Sequence, residues 1–159
     1  MTSTRTHIIG DLIDGGVRME ATDPTDAADL WSALTDPARL ARWIATVDGD
    51  LRIGGDVSAS FTSEWSGSVS IDVCEPPARL KVTLGPGLDD ETTIEAVLTP
   101  EGEGCRLVIT EVGLPTPDRP YHAAGWAIHL EDLASELRGE TAEPWKARWQ
   151  ALVPSWLEQ

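Results

Sequence analysis

The sequence predicts a single α+β domain, an antiparallel sheet covered by one long helix. Three observations predict it. Residues 46–113 carry apolar side chains at a period of two, residues 121–138 carry them at a helical period, and most of the 14 glycines and 11 prolines fall between the patterned runs. Successive alternating strands with short turns make an antiparallel meander. Such a sheet must cover its apolar face, and the long helix is the available cover. If the sheet curls around that helix, a cavity opens between them.

The elements follow in order. His7–Asp11 and Val17–Thr22 read as one or two short strands, broken at Asp14-Gly15-Gly16, a turn signal. Asp23-Pro24-Thr25 then starts a helix with Thr25 as the expected cap. Ala27, Leu30, Trp31 and Leu34 fall at i, i+3, i+4 and i+7, one buried stripe. Asp36-Pro37 opens a second short helix, with Asp as cap and Pro at the first helical position. Leu40, Trp43 and Ile44 form its apolar side, so the helical corner turns Trp31 and Trp43 inward.

The meander comes next. A short strand within Thr46–Ile53 is followed by runs carrying Val57, Ala59 and Phe61, then Trp65, Val69, Ile71 and Val73, then Leu80, Val82 and Leu84. Thr92, Ile94, Ala96 and Leu98 alternate in the next run, and Leu107, Ile109 and Glu111 in the last. After Pro115-Thr116-Pro117 a helix from about Tyr121 to Arg138 places Trp126, Leu130, Leu133 and Leu137 on one face, and Gly139 ends it. A final helix from Pro144 carries Trp145, Trp149, Leu152 and Trp156 on one side. Three tryptophans on one terminal face imply burial, either by folding back on the domain or in a homodimer. The domain spans 1–159, with a core at about 16–139 and a C-terminal helical extension at 140–159.

Charge and composition bound the function. The 159 residues hold 27 acidic and 12 basic side chains, a net charge of −15. Nucleic acid and anionic membranes need a basic face, so neither is expected as partner. No apolar run approaches the roughly 18 residues of a membrane span, and Met1–His7 holds no apolar leader core. The two cysteines make no disulfide framework, so a reducing cytoplasm is expected. Both lie in strand patterns and read as inert core thiols.

Seven tryptophans against one Phe and one Tyr are the unusual feature. Trp is large and amphipathic, and it suits cavity walls as well as ordinary cores. Trp43, Phe61, Trp65, Trp126, His129, Leu130 and Leu133 are the residues expected to border a ligand, and Trp31 reads as core. His122 and His129 stand roughly 10 Å apart along the helix, too far to share a metal. No metal or other cofactor is expected, because no ligand spacing is present. His129 is a candidate acid/base or carbonyl-polarising group, weighed against a surface or supporting role. Glu111 falls on the apolar side of its strand. It is either a polar anchor or base with a raised pKa, or a residue that reaches water where the strand frays before Gly113. Neither Gly102-Glu103-Gly104 nor Gly85-Pro86-Gly87 is a phosphate loop.

Several of these stretches also resemble a known family. Leu30 to Trp43, with its Leu34-Thr35-Asp36-Pro37 centre, resembles the signature of the START-like helix-grip superfamily, also called SRPBCC. Within it, the match is closest to the AHSA type, named after the activator of heat-shock-protein-90 ATPase. Gly54-Gly55, Glu75-Pro76-Pro77-Ala78-Arg79-Leu80 and Gly125 to Leu133 follow in the expected order. The resemblance covers about Val17 to Gln159. It implies a helix-grip fold: a curved antiparallel sheet of about six to seven strands wrapped around a long C-terminal helix, two short helices after the first strand, and a hydrophobic cavity inside. Members include lipid and hormone carriers, polyketide aromatase/cyclases and co-chaperone domains, so fold alone does not give function.

Three functions are therefore expected in descending order. They are binding of a small apolar or amphipathic molecule, a cyclase- or hydrolase-type enzyme using His129 or Glu111, and a co-chaperone-like interaction domain. Binding predicts an apolar cavity and catalysis convergent polar groups, whereas interaction predicts an exposed patch over a filled core.

Overall fold

The computed structural model describes residues 7–158, so the N-terminal segment read as lacking a leader lies outside the described residues. The chain runs β1 (His7–Ile13), β2 (Gly16–Asp23), α1 (Ala27–Thr35), α2 (Pro37–Trp43), β3 (Ala45–Gly49) and β4 (Val57–Phe61). It continues with β5 (Ser66–Glu75), β6 (Arg79–Leu84), β7 (Thr92–Glu101), β8 (Gly104–Val112), α3 (Arg119–Leu137) and α4 (Trp145–Leu157). The strands form one antiparallel sheet of eight in the order β1-β2-β8-β7-β6-β5-β4-β3. Eight strands exceed the six to seven expected, because β1 and β2 form a full hairpin in which His7 pairs with Thr22 and Ile13 with Gly16.

Alternation places the core. Val17, Met19 and Ala21 of β2, Ile94, Ala96 and Leu98 of β7, and Cys105, Leu107 and Ile109 of β8 are all buried. They meet Ala123, Trp126, Leu130 and Leu133 of α3 in one cluster. Helix α3 packs against β1 and β2, while α2 packs against β3 at the opposite edge. Both sheet edges are thus carried round to the helical side. The space between α3 and the curled β4–β7 region is left to side chains of the concave face.

Local chemistry explains the helix ends. Asp26, and not Thr25, caps α1 by accepting from the Asp29 amide, and the Thr25 hydroxyl donates to the Asp29 carboxylate at 2.6 Å. The Asp26 carboxylate, one position on, sits where the exposed amide points, while the Thr25 hydroxyl is engaged by the Asp29 side chain. Asp36 caps α2 through the Ala38 amide, with Pro37 at its first position. Helix α3 starts two residues earlier than its pattern, at Arg119, and ends in a Schellman motif. There Gly139 takes φ +73°, its amide bonding to Glu136 and that of Glu140 to Ser135.

Helix α4 folds back on its own domain and packs on α3. Arg148 of α4 bonds the buried Asp132 at 2.6 Å and Glu131 at 2.9 Å. Trp156 is buried beside Gly10 of β1. On the other flank, Arg39 and Arg42 of α2 bind the buried Glu136 of α3 at 2.8 and 3.1 Å. Two further expectations are corrected. Trp65 lies in the β4–β5 turn and not in a strand, where the Phe61 amide bonds its carbonyl at 2.7 Å. Cys74 is exposed, because it sits near the exposed end of β5, whereas Cys105 is buried. No helix among the described residues is long and apolar enough to cross a membrane.

Candidate functional site

Two cavities lie on the concave side of the sheet. The larger, of about 640 Å³, is bordered by the β4–β5 and β6–β7 turns, the β8–α3 connection, the first half of α3 and the start of α4. The smaller, of about 210 Å³, lies between α1–α2 and the strands from β3 to β8. Phe61, Leu84, Ile94 and Trp126 line both, so they form the wall between the two.

The expected site residues divide between them. Phe61, Trp65, Trp126 and His129 line the larger cavity, and Trp43 lines the smaller. Trp31, read as core, also borders the smaller one. Leu130 and Leu133 line neither and are corrected to core positions. His122, Gly125, Trp126 and His129 mark the cavity side of α3 at helical spacing. Leu130 is rotated off that stripe, and Leu133 lies two turns beyond Trp126, where α3 has closed onto neighbouring elements.

Glu111 is held inward on an intact strand. It pairs across the ladder with Val17 and Ile94 and is only 3% exposed, so the frayed-end reading is overturned. Three donors satisfy its carboxylate. Trp126 Nε1 donates to Oε1 at 3.0 Å, His122 Nδ1 donates to the same oxygen at 3.1 Å, and the Thr92 hydroxyl donates to Oε2 at 2.9 Å. Burial pushes the Glu111 pKa up, but the hydrogen bond and charge of His122, with the Trp126 and Thr92 bonds, outweigh it and hold it below the ordinary value. The raised pKa expected from the sequence is therefore corrected. Burial likewise opposes charge on His122, and Glu111 outweighs that, so His122 titrates above the usual histidine value. Neither Arg79 nor Arg106 reaches Glu111; they pair with Glu95, Glu75, Glu20 and Glu101.

His129 is 5% exposed and enclosed by aromatic rings. Its centroid stands 5.5 Å from Trp126, 6.3 Å from Phe61 and 5.3 Å from Trp145. Burial, then the charge of Arg148, push its pKa down to about 3, so the ring is neutral at ordinary pH. Its Nδ1 is buried without a hydrogen-bond partner among the described residues, as is Trp145 Nε1. Trp145 stacks on Trp149 at 5.7 Å, and Trp149 Nε1 donates to the Tyr121 carbonyl at 2.9 Å. A Cβ at Gly125 would meet the Trp145 ring at 3.5 Å, an ordinary contact distance, so this ring lies against the α3 backbone with room for an alanine. Among the described residues, no three His, Cys, Asp or Glu side chains are grouped as a metal site requires.

Sequence reasoning missed His122 as the partner of Glu111. The signal was present: His122 and Trp126 are one helical turn apart, and Glu111 faces inward with nothing on its own strand to satisfy it. The part of α4 in the larger cavity, through Trp145, Lys146 and Trp149, carries no such signal.

A curved sheet gripping a long helix around an internal cavity defines a START-like helix-grip domain. Residues 24–138 match the family described as "Activator of Hsp90 ATPase homolog 1-like protein", and the chain belongs to this family. No curated protein sequence matches it. Among solved structures it is similar to CalU16 from Micromonospora echinospora, with 23% identity and a TM-score of 0.75, covering 98% of this chain and 94% of that one. The protein encoded by BPP1335 from Bordetella parapertussis gives 23% identity and a TM-score of 0.75, covering 93% and 87%. DynU16, from the dynemicin biosynthetic locus, gives 25% identity and a TM-score of 0.72, covering 79% of this chain and 48% of that one.

Proposed function

We propose that this protein binds a small amphipathic molecule between the sheet and the long helix. One observation carries the reading: two cavities share a wall, and they differ in chemistry. The smaller one is lined almost wholly by apolar side chains, including Trp31, Trp43, Val69, Val82 and Ile109. The larger one adds Glu111, His122, His129 and Lys146 to an aromatic lining. A ligand with an apolar end and a polar end fits that gradient. The interaction-domain reading expects a filled core, and the two cavities speak against it. Native mass spectrometry of protein isolated from its own host tests the proposal. A retained molecule of a few hundred daltons is expected, the size that cavities on the order of 300–1,000 Å³ hold. Bare polypeptide alone, in preparations that remain folded, contradicts it.

A second reading, a cyclase- or hydrolase-type enzyme, is favoured by the Glu111–His122 pair. Nδ1 of His122 is engaged by the carboxylate at 3.1 Å, and the side chain is 42% exposed at the cavity, which suits Nε2 for proton transfer. Conversion of the retained molecule by the protein, lost in His122→Gln, supports this reading. Recovery of that molecule unchanged contradicts it.

A further inference from the structure

Charge is unevenly distributed around the larger cavity. Its lining holds five carboxylates, Glu64, Asp89, Asp90, Glu111 and Asp118, against Lys146 and His122. The balance stays negative even with both cations charged. No cation pairs with Glu64, Asp89 or Asp90 among the described residues. Arginine partners are used elsewhere: Arg79 on Glu95, Arg39 on Glu136 and Arg148 on Asp132. Arg119, next to Asp118 in sequence, donates to the Ile13 and Thr116 carbonyls. The acids at this mouth are therefore left to face the opening.

Two further observations are independent of the carboxylates. The wall presents Trp65, Trp126, Trp145, Trp149, Phe61 and Tyr121. Aromatic faces attract cations through their quadrupoles, most strongly when water is excluded. His129, more than nine-tenths buried in the same wall, holds Nδ1 without a partner. Because this ring stays neutral, it adds an uncharged aromatic surface to the wall and no competing positive charge.

We propose that the larger cavity selects an amphipathic cation, a flat apolar body bearing one ammonium-type group, held by aromatic faces and neutralised by the mouth carboxylates. The proposal rests on the ligand-binding reading above and names the class of ligand. An anionic amphiphile would have only Lys146 free to meet it, because His122 is taken up by Glu111, and it would face the unpaired Glu64, Asp89 and Asp90. A neutral one would leave those carboxylates unmatched.

Calorimetric titration of the full chain with three probes of one shape tests this: 1-naphthylmethylammonium, 1-naphthylmethanol and 1-naphthylacetate. At low salt the cation is expected to bind about tenfold tighter than the alcohol, and the acetate weakest of the three. That preference shrinks between about 0.02 M and about 0.5 M salt as the mouth charges are screened. The Glu64→Gln/Asp89→Asn/Asp90→Asn variant brings the cation-to-alcohol ratio close to one. Most of the net negative charge remains in that variant, so a general attraction to the acidic surface would leave the ratio unmoved and overturn the proposal. Equal binding of cation and alcohol, or tighter binding of the acetate, overturns the cationic class while ligand binding stands. Failure of all three probes to bind removes both.

Discussion

Glu111 and His122 meet 3.1 Å apart across the gap between the last strand and the long helix, a carboxylate on β8 and an imidazole on α3. Their titrations oppose each other. His122 is raised above 6.5, so it adds stability below that pH and loses it as pH rises through its folded value. Glu111 is lowered below 4.5, so it adds stability above that pH and loses it as pH falls through its folded value. The pair therefore stabilises most between pH 4.5 and 6.5. Thermal melts of wild type and His122→Gln across pH should show their largest gap in that window. A gap that is constant with pH contradicts the ion pair.

Trp126 joins the shared cavity wall to Glu111 through one N–H···O bond of 3.0 Å. Trp126→Ala should lose about 3–5 kcal/mol of stability, as for a core tryptophan. Trp126→Phe keeps an aromatic ring and removes the donor, for a loss of about 1.5–3 kcal/mol, the worth of a hydrogen bond to a charged group, while His122 still serves the same oxygen. Denaturant titration measures both. Losses below about 0.5 kcal/mol for the alanine variant would place Trp126 at the surface.

Glu64 takes φ +77° in the β4–β5 turn, the only non-glycine in the left-handed region among the described residues. A glycine adopts that conformation without a Cβ clash, so Glu64→Gly should stabilise the fold by about 1 kcal/mol. Equilibrium unfolding checks this, and a destabilised variant contradicts it.

Arg148 ties α4 to the buried Asp132 at 2.6 Å. Arg148→Met leaves that carboxylate buried without a cation and should cost about 3 kcal/mol near neutral pH. Burial already raises the Asp132 pKa against the opposing Arg148 bond. In the variant the carboxylate takes a proton more readily, so the loss should shrink as pH falls toward 5. Urea titrations at two pH values measure the difference, and an equal loss at both contradicts it.

Period and punctuation carried most of the fold into the sequence. The two-residue alternation of β7 and β8, the Asp36-Pro37 helix start and the Gly139 stop all sit where local chemistry put them. Trp65 misled because it continues the odd-numbered alternation of β5, while the Phe61–Trp65 backbone bond pulls it into a turn. Leu130 and Leu133 misled because a helical stripe does not show where along its length the sheet pulls away. Glu111 was legible by its side of the strand, but its partners came from α3 and β7, whose positions depend on the curl of the whole sheet. The neutral His129 was illegible for the same reason, since Trp145 and Arg148 reach it from a helix 16 or more residues downstream.

Occupation of the two cavities by a small amphipathic molecule can be followed residue by residue. Titrating the ¹⁵N-labelled protein with 1-naphthylmethanol, while following its amide and indole resonances, is the decisive measurement. Saturable shifts of the Trp126 and Trp145 indole N–H groups and of the Gly125 amide are expected, with β1 and the far end of α3 unmoved. Shifts confined to exposed residues outside the cavities, or none at all, would contradict it.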